Sequence, residues 1–254
     1  MIKEIRWQKI QKILTTDGKV DVSELSEMFA VSEMTIRRDL TAMGQKGLIE
    51  RTHGGAVLAR EHNLLQAPIL MRITEHLEEK QSIARAAAQL IKHGEKIYIA
   101  AGTTAYWVAR AIANRTGLTV LTNSLPVANL LALSKDMEVI IVGGFLHRNE
   151  YSMVGHFAVD MVKDLRLDKV ITGTGGIHPD YGLTNEYPQE MMMDRSYFNI
   201  SDNIIVVADH TKIGRVTTCR TADVSKIRTL VTSRLASVEI VNWIRQRGVE
   251  VILV

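Results

Sequence analysis

Five short polar clusters carry the residue types needed to hold an anion. They are Gly102-Thr103-Thr104, Thr122-Asn123-Ser124, Gly143-Gly144, Gly173-Thr174-Gly175-Gly176 and Asp209-His210-Thr211-Lys212. Each follows a short apolar run. Backbone N–H groups freed at a strand-to-helix turn, paired hydroxyls and the positive end of a helix dipole suit a phosphate or carboxylate. Lys212 adds a cation. Taken singly, each cluster also reads as turn chemistry, and Asn123-Ser124 ahead of Pro126 is a good helix start. Taken together they read as one ligand site. Gly173 does not open a dinucleotide loop, because the third glycine of G-x-G-x-x-G is missing at His178.

A second constellation lies near the N-terminus. Ser32 stands where it can cap a helix whose apolar stripe is Ile36, Leu40 and Met43. Glu33, Thr35, Arg37, Arg38 and Ala42 then face outward. Arg reads guanine in bidentate fashion or holds phosphate, and Thr touches phosphate or a thymine methyl. Residues 47–57 place apolar ends around Gly54-Gly55, which predicts a small hairpin with Arg51, Thr52 and His53 beside a phosphate backbone.

The elements that position these residues follow from periodicity. Trp7, Ile10 and Leu14 predict a helix over 4–16, closed by Gly18. Asp21 with Glu24 is a capping-box pattern ahead of a second helix marked by Val22, Leu25 and Phe29. Gly44 and Gly47 are expected to stop the third. Two short helices joined at Ala30-Val31 match a helix-turn-helix, whose second helix enters the major groove. Charge alone does not argue DNA binding, since residues 1–60 hold ten basic side chains against eight acidic ones. A linker is expected over 58–77, where Pro68 interrupts the pattern. From 78 onward short apolar strands alternate with helices, which predicts βαβ units and a mostly parallel sheet. In such sheets ligands bind beyond the C-terminal ends of the strands, where all five polar clusters fall.

Composition sets the outer limits. The chain has 254 residues, 46% hydrophobic and 23% charged, with a net charge of +3. That is ordinary for a globular protein and excludes a mainly disordered one. One cysteine, Cys219, excludes an internal disulfide framework and fits a reducing compartment; it is expected in a loop with nothing to activate it. No secretory signal or membrane-length apolar run is read, so a cytoplasmic protein with no membrane partner is expected. The eight histidines show no metal-binding spacing along the chain, so neither a metal nor a cofactor is expected. Trp7, Trp107 and Trp243 are expected as core anchors.

Val31-Ser32-Glu33-Met34-Thr35-Ile36-Arg37-Arg38-Asp39-Leu40, followed by Arg51-Thr52-His53-Gly54-Gly55-Ala56, resembles the linked signature of the DeoR family of bacterial transcription regulators. The resemblance continues through Gly102-Thr103-Thr104, Thr122-Asn123-Ser124, Gly143-Gly144, Met153-Val154-Gly155 and the run from Asp209 to Arg215, and so spans essentially the whole chain. It implies an α/β protein: a small winged helix-turn-helix domain over 1–57, then a larger domain over 78–254 with a mostly parallel sheet, similar to ribose-5-phosphate isomerase. It implies a repressor of a sugar-catabolism operon, controlled by a phosphorylated sugar or related metabolite. DNA-binding residues are then Ser32, Thr35, Arg37, Arg38, Arg51, His53, Gly54 and Gly55. Effector-binding residues are Gly102, Thr103, Thr104, Thr122, Asn123, Ser124, Gly143, Gly144, Gly173, Glu190 and Lys212. Paired reading heads on a two-fold operator imply a homodimer or homotetramer.

One stretch departs from the family. After the Gly-Leu-Thr segment the family carries an acid-rich run with a lysine; here Glu190 and Arg195 fit, but Met192 stands for the second acid and Asp194 for the lysine. Met191, Met192 and Met193 are read as helix core. The alternative function is a sugar-phosphate isomerase with an added N-terminal domain, using Glu190 or Asp209 as base. Asp194 in the lysine position removes its natural electrophile, so a non-enzyme is expected.

Overall fold

A computed structural model describes residues 3–45, 49–52, 54–58 and 69–254. They divide into two compact units, split between Pro68 and Ile69. The first comprises helix α1 (Lys3–Asp17), strand β1 (Lys19–Asp21), helices α2 (Val22–Phe29) and α3 (Glu33–Gln45), and strands β2 (Ile49–Arg51) and β3 (Gly55–Leu58). β3 lies between β1 and β2, antiparallel to both. The expected stripes are the core: Ile10, Leu14, Leu25, Ile36, Leu40 and Met43 are all buried.

Asp21 caps α2 by accepting from the backbone N–H groups of Ser23 at 2.8 Å and Glu24 at 3.4 Å. Ala30 closes that helix in the left-handed region, at φ 51° and ψ 49°. The three residues of β1 were not expected; the strand is too short to show a period. Gly44 does not stop α3 but lies inside it, and Gly47 falls outside the described residues.

The second unit starts with helices α4 (Ile69–Arg72) and α5 (Leu77–Gln89), so residues 69–77 are part of it and not a free connection. There follow β4 (Lys96–Ile99), α6 (Thr103–Ile112), β5 (Leu118–Thr122), α7 (Leu125–Leu131) and β6 (Met137–Ile141). A hairpin of β7 (Phe145–His147) and β8 (Ser152–Val154) leads to α8 (His156–Val162) and β9 (Lys169–Thr172). Then come β10 (Gly176–His178), β11 (Gly182–Asn185), α9 (Pro188–Ile200), β12 (Ile204–Val207), β13 (Cys219–Ala222), β14 (Thr229–Thr232), α10 (Val238–Arg245) and β15 (Glu250–Leu253).

Seven parallel strands form one sheet in the order β15-β14-β12-β9-β4-β5-β6. Alternation along each strand supplies two faces. Ile97, Ile99, Val120, Ile171, Ile205 and Val231 pack with α5, α6 and α7. Tyr98, Leu121, Val170, Ile204, Val206 and Leu230 pack with buried residues of α8, α9 and α10. β10, β11 and β13 make a separate antiparallel sheet, which places Cys219 in a strand and not the expected loop. Of the three methionines only Met193 is core; Met192 is 48% exposed. Among the described residues no helix is long and apolar enough to cross a membrane.

Candidate functional site

The strand order reverses between β4 and β9. From β4 the chain winds outward through β5 and β6; from β9 it winds the other way through β12, β14 and β15. A crevice at the C-terminal ends of strands opens at such a point. Gly102, Thr103 and Thr104 stand on its β4 side and Gly173 on its β9 side. Gly102 caps α6 at φ 135°, a backbone region that favours glycine, and the space where a Cβ would stand is open.

The adjacent β12 end carries the charge. Asp209 is buried. Burial works against its ionisation, but Lys212, the bonds from Thr211 and the ammonium of Lys80 outweigh it, and its carboxyl is held below the ordinary range. Burial pushes the Lys80 ammonium down to about 8, with Asp209 and Glu75 opposing the shift. Lys212 is likewise lowered by burial against the pull of Asp209, with Arg215 adding repulsion. Lys80 Nζ donates to the Arg72 carbonyl at 2.8 Å, and the Arg72 guanidinium pairs with Glu150. Lys80 and Lys212 thus act on both Asp209 and Glu75, and Arg72 acts on Glu75, a gathering of cationic charge that an anionic ligand needs.

Arg72, Glu75 and Lys80 were not among the expected site residues. The missed signal is Lys80 itself: with Ile83, Ala84 and Ala87 it lies on the buried stripe of α5. A cation on the apolar face of a helix has a partner waiting.

The other expected residues divide by role. Thr122, Asn123 and Ser124 are buried and turned to the scaffold. Thr122 Oγ1 accepts from the Ser124 N–H at 3.0 Å, and Ser124 caps α7. Asn123 braces two loops, accepting from the Ala101 N–H at 3.3 Å and donating to the Met153 carbonyl at 2.9 Å. Gly143 and Gly144 follow β6, four strand spacings from β12, or about 19 Å at the usual separation. That span is too wide for one small ligand to bridge directly. Gly144 has a packing reason to lack a side chain, since its Cβ would lie 2.7 Å from the Val154 carbonyl oxygen.

Glu190, in the first turn of α9, faces His147 at 3.2 Å. Burial raises the Glu190 carboxyl, and the bond to Glu190 raises the His147 imidazole. One turn on, burial pushes the Asp194 carboxyl up to about 7, although it accepts from Asn185 Nδ2 at 2.7 Å.

In the first unit, Ser32 Oγ accepts from the Thr35 N–H at 3.3 Å and lies 2.9 Å from Thr35 Oγ1. Arg37 and Arg38 are exposed on α3. Arg37 pairs with Glu33 at 3.1 Å, and among the described residues none bonds the Arg38 guanidinium. The next residue, Asp39, is buried, and accepts from the Trp7 indole and the Arg6 guanidinium. Arg51 is tied to Thr41 at 2.8 Å. Gly55 is required by packing, because its Cβ would lie 1.8 Å from the Val20 carbonyl oxygen, while the Cβ position at Gly54 is 3.3 Å from Asp21 Oδ2. His53 lies outside the described residues.

The comparisons with known proteins agree with both halves. The DeoR-like helix-turn-helix domain matches residues 6–62, and the DeoR C terminal sensor domain matches residues 75–234. The chain is 32% identical over 248 residues to the HTH-type transcriptional repressor CsqR of Escherichia coli (strain K12), covering 98% of this chain and 94% of that one. It is 32% identical over 245 residues to the Glycerol-3-phosphate regulon repressor of the same strain, covering 96% of each. Among solved structures, ribose 5-phosphate isomerase A of Methanocaldococcus jannaschii is 16% identical, with 55% of each chain covered and a TM-score of 0.40, a likeness that carries no functional argument. With its winged head, its parallel sheet and both family domains matched, the chain belongs to the DeoR family of transcription regulators.

Proposed function

We propose that the protein is a transcription repressor whose first unit holds operator DNA and whose second unit takes a phosphorylated sugar or related metabolite. One observation carries the DNA half: Arg37 and Arg38 stand exposed on α3 while Asp39 anchors the same helix inside. Thr35 and Arg38 face base edges, and Ser32, Arg37, Arg51 and Gly54 lie along the phosphates, the role the sequence also gives His53. The effector half rests on Lys80 and Lys212 around Asp209 and on the open turn at Gly102. Gly102, Thr103, Thr104 and Gly173 contact the ligand through the crevice. Thr122, Asn123 and Ser124 hold its walls, and Glu190 sits at its far side with His147.

The effector shifts the protein between arrangements that fit and misfit the operator, which requires it to bind the two with different affinity. The chain works in the cytoplasm as a homodimer or homotetramer. Phe145, Phe157 and Met161 support self-association: they are exposed, with the two phenylalanine rings 5.7 Å apart. Of the two carboxylates an isomerase could use as base, Glu190 is raised by burial and bonded to His147, and Asp209 is the less suited. A general base works best with a pKa near the operating pH, whereas Asp209 is held below the ordinary carboxylate range.

A thermal-shift panel of sugars and sugar phosphates tests the effector half. A binding compound at a hundred times its Kd stabilises by about 2.7 kcal/mol. At least one phosphorylated sugar is expected to raise the melting temperature while its unphosphorylated parent does not. A panel with no shift would leave the second unit as an oligomerisation domain.

A further inference from the structure

His76, Glu79 and His210 come from opposite ends of the second unit and meet at one point. His76 is the residue before α5, Glu79 lies in the first turn of that helix, and His210 opens the turn after β12. His210 Nδ1 is 2.9 Å from Glu79 Oε2, and His76 Nδ1 is 4.0 Å from the same oxygen. The two imidazoles stand edge to face with centroids 5.3 Å apart. One nitrogen from each ring and one Glu79 oxygen all lie within 4.8 Å of one another. These histidines show no ligand spacing along the chain; only the fold unites them.

We propose that His76, Glu79 and His210 form a binding site for a divalent transition-metal ion of the zinc class. Zinc bonds of 2.0–2.1 Å at tetrahedral angles separate neighbouring ligand atoms by about 3.3 Å. The observed 2.9 and 4.0 Å fall either side of that figure. The side chain that must move is His76, which is 47% exposed and has room to turn. Two imidazoles and one carboxylate favour zinc and its neighbours over magnesium or calcium, which take oxygen ligands.

The support around the site is that of a metal centre. Glu79 Oε1 accepts from Ser233 Oγ at 2.5 Å and from the His210 backbone N–H at 2.7 Å, and His210 Nδ1 lies 3.1 Å from Oε1 and 2.9 Å from Oε2. Such outer bonds orient a ligating carboxylate. His76 sits at φ 48° and ψ 42°; its carbonyl accepts from the Lys80 N–H at 3.0 Å, but its side chain makes no capping bond to the helix it precedes. A residue with a Cβ gives up roughly 1–2 kcal/mol in that conformation, and no side-chain cap offsets it. The proposal stands whether or not the crevice takes a phosphorylated ligand.

The test uses untagged full-length protein stripped with a chelator, then dialysed against Zn2+ or Co2+. One zinc per chain is expected, and Co2+ is expected to give the visible absorption bands of a low-coordinate site. His76→Asn is the informative variant, since Asn tolerates the left-handed backbone. It should keep the melting temperature of the metal-free protein and weaken Zn2+ binding by at least about tenfold, a loss that removing even an outer partner of a ligand produces. Glu79→Gln should abolish the Co2+ bands. Wild-type protein with no zinc above the dialysis buffer, or His76→Asn with unchanged affinity, would overturn the proposal.

Discussion

The Trp7 indole N–H donates to Oδ1 of Asp39 at 3.0 Å, and this bond fixes from inside the helix that turns Arg37 and Arg38 to solvent. The Arg6 guanidinium takes the other oxygen of the same carboxylate, and both partners of that ion pair are buried. Breaking a buried pair from one side leaves a charge without its counterion and costs about 3–5 kcal/mol. Asp39→Ala is therefore expected to loosen α1 against α3. Hydrogen exchange should speed up across residues 3–45 and stay unchanged beyond residue 69. Unchanged protection in α3 would show that the apolar stripe alone holds the helix.

Arg38 is the side chain we propose reads a base. A bidentate arginine–guanine contact contributes about 1–3 kcal/mol of discrimination. Arg38→Ala is expected to lower operator affinity by that amount and to flatten the preference at one base position. Arg37→Ala, removing a phosphate contact, should weaken all sequences alike and reduce the salt slope by about one unit. Equal loss of sequence preference in both variants would reverse the assigned orientation.

Lys80 is expected to make effector binding sensitive to pH on the alkaline side. Burial holds its ammonium down to about 8. As pH rises through that value the free protein loses the charge a phosphate needs, so affinity falls, while a bound phosphate shifts the titration upward. Lys80→Met should cost about 1.5–3 kcal/mol of binding, the range of a charge-assisted hydrogen bond. It should also flatten the pH dependence. Isothermal titration on both sides of that pH checks each part.

Asp194 gives a stability signature of the opposite kind. Its carboxyl is raised from its ordinary value to about 7. Between those values the folded chain keeps a proton that the unfolded chain has released. Stability therefore falls as pH rises through the window, and the full penalty is present above it. Asp194→Asn keeps an oxygen for Asn185 and removes the charge. It is expected to raise stability by about 1–3 kcal/mol above neutral pH and to change little near pH 4. Denaturant melts at the two extremes measure this. A variant less stable than wild type at alkaline pH would mean that the carboxylate has a favourable partner there.

Local pattern made the architecture legible. The Ile36–Leu40–Met43 stripe, the Asp21 and Ser32 caps and the alternation of apolar strands with helices appear in the structure as written. What stayed hidden depends on contacts distant in sequence. β1 exists because Val20 and Asp21 pair with β3 more than thirty residues away. Gly55 reads as a turn glycine, yet the Val20 carbonyl pressing on it is what forbids a side chain. Arg72 and Glu75 looked like linker residues because nothing local announces their approach to Lys212. Thr122 and Ser124 looked like ligand groups because a hydroxyl that caps a helix and one that binds phosphate are the same in sequence.

Coupling between the DNA head and the crevice is tested most directly by a gel-shift titration. The DNA is the segment upstream of the protein's own gene, run at two salt concentrations with and without each sugar phosphate. Specific binding that weakens with salt and is released by one phosphorylated sugar, but not by its unphosphorylated parent, is the expected result. Folded protein that binds no such DNA at low salt, or DNA binding that no phosphorylated compound alters, would contradict it.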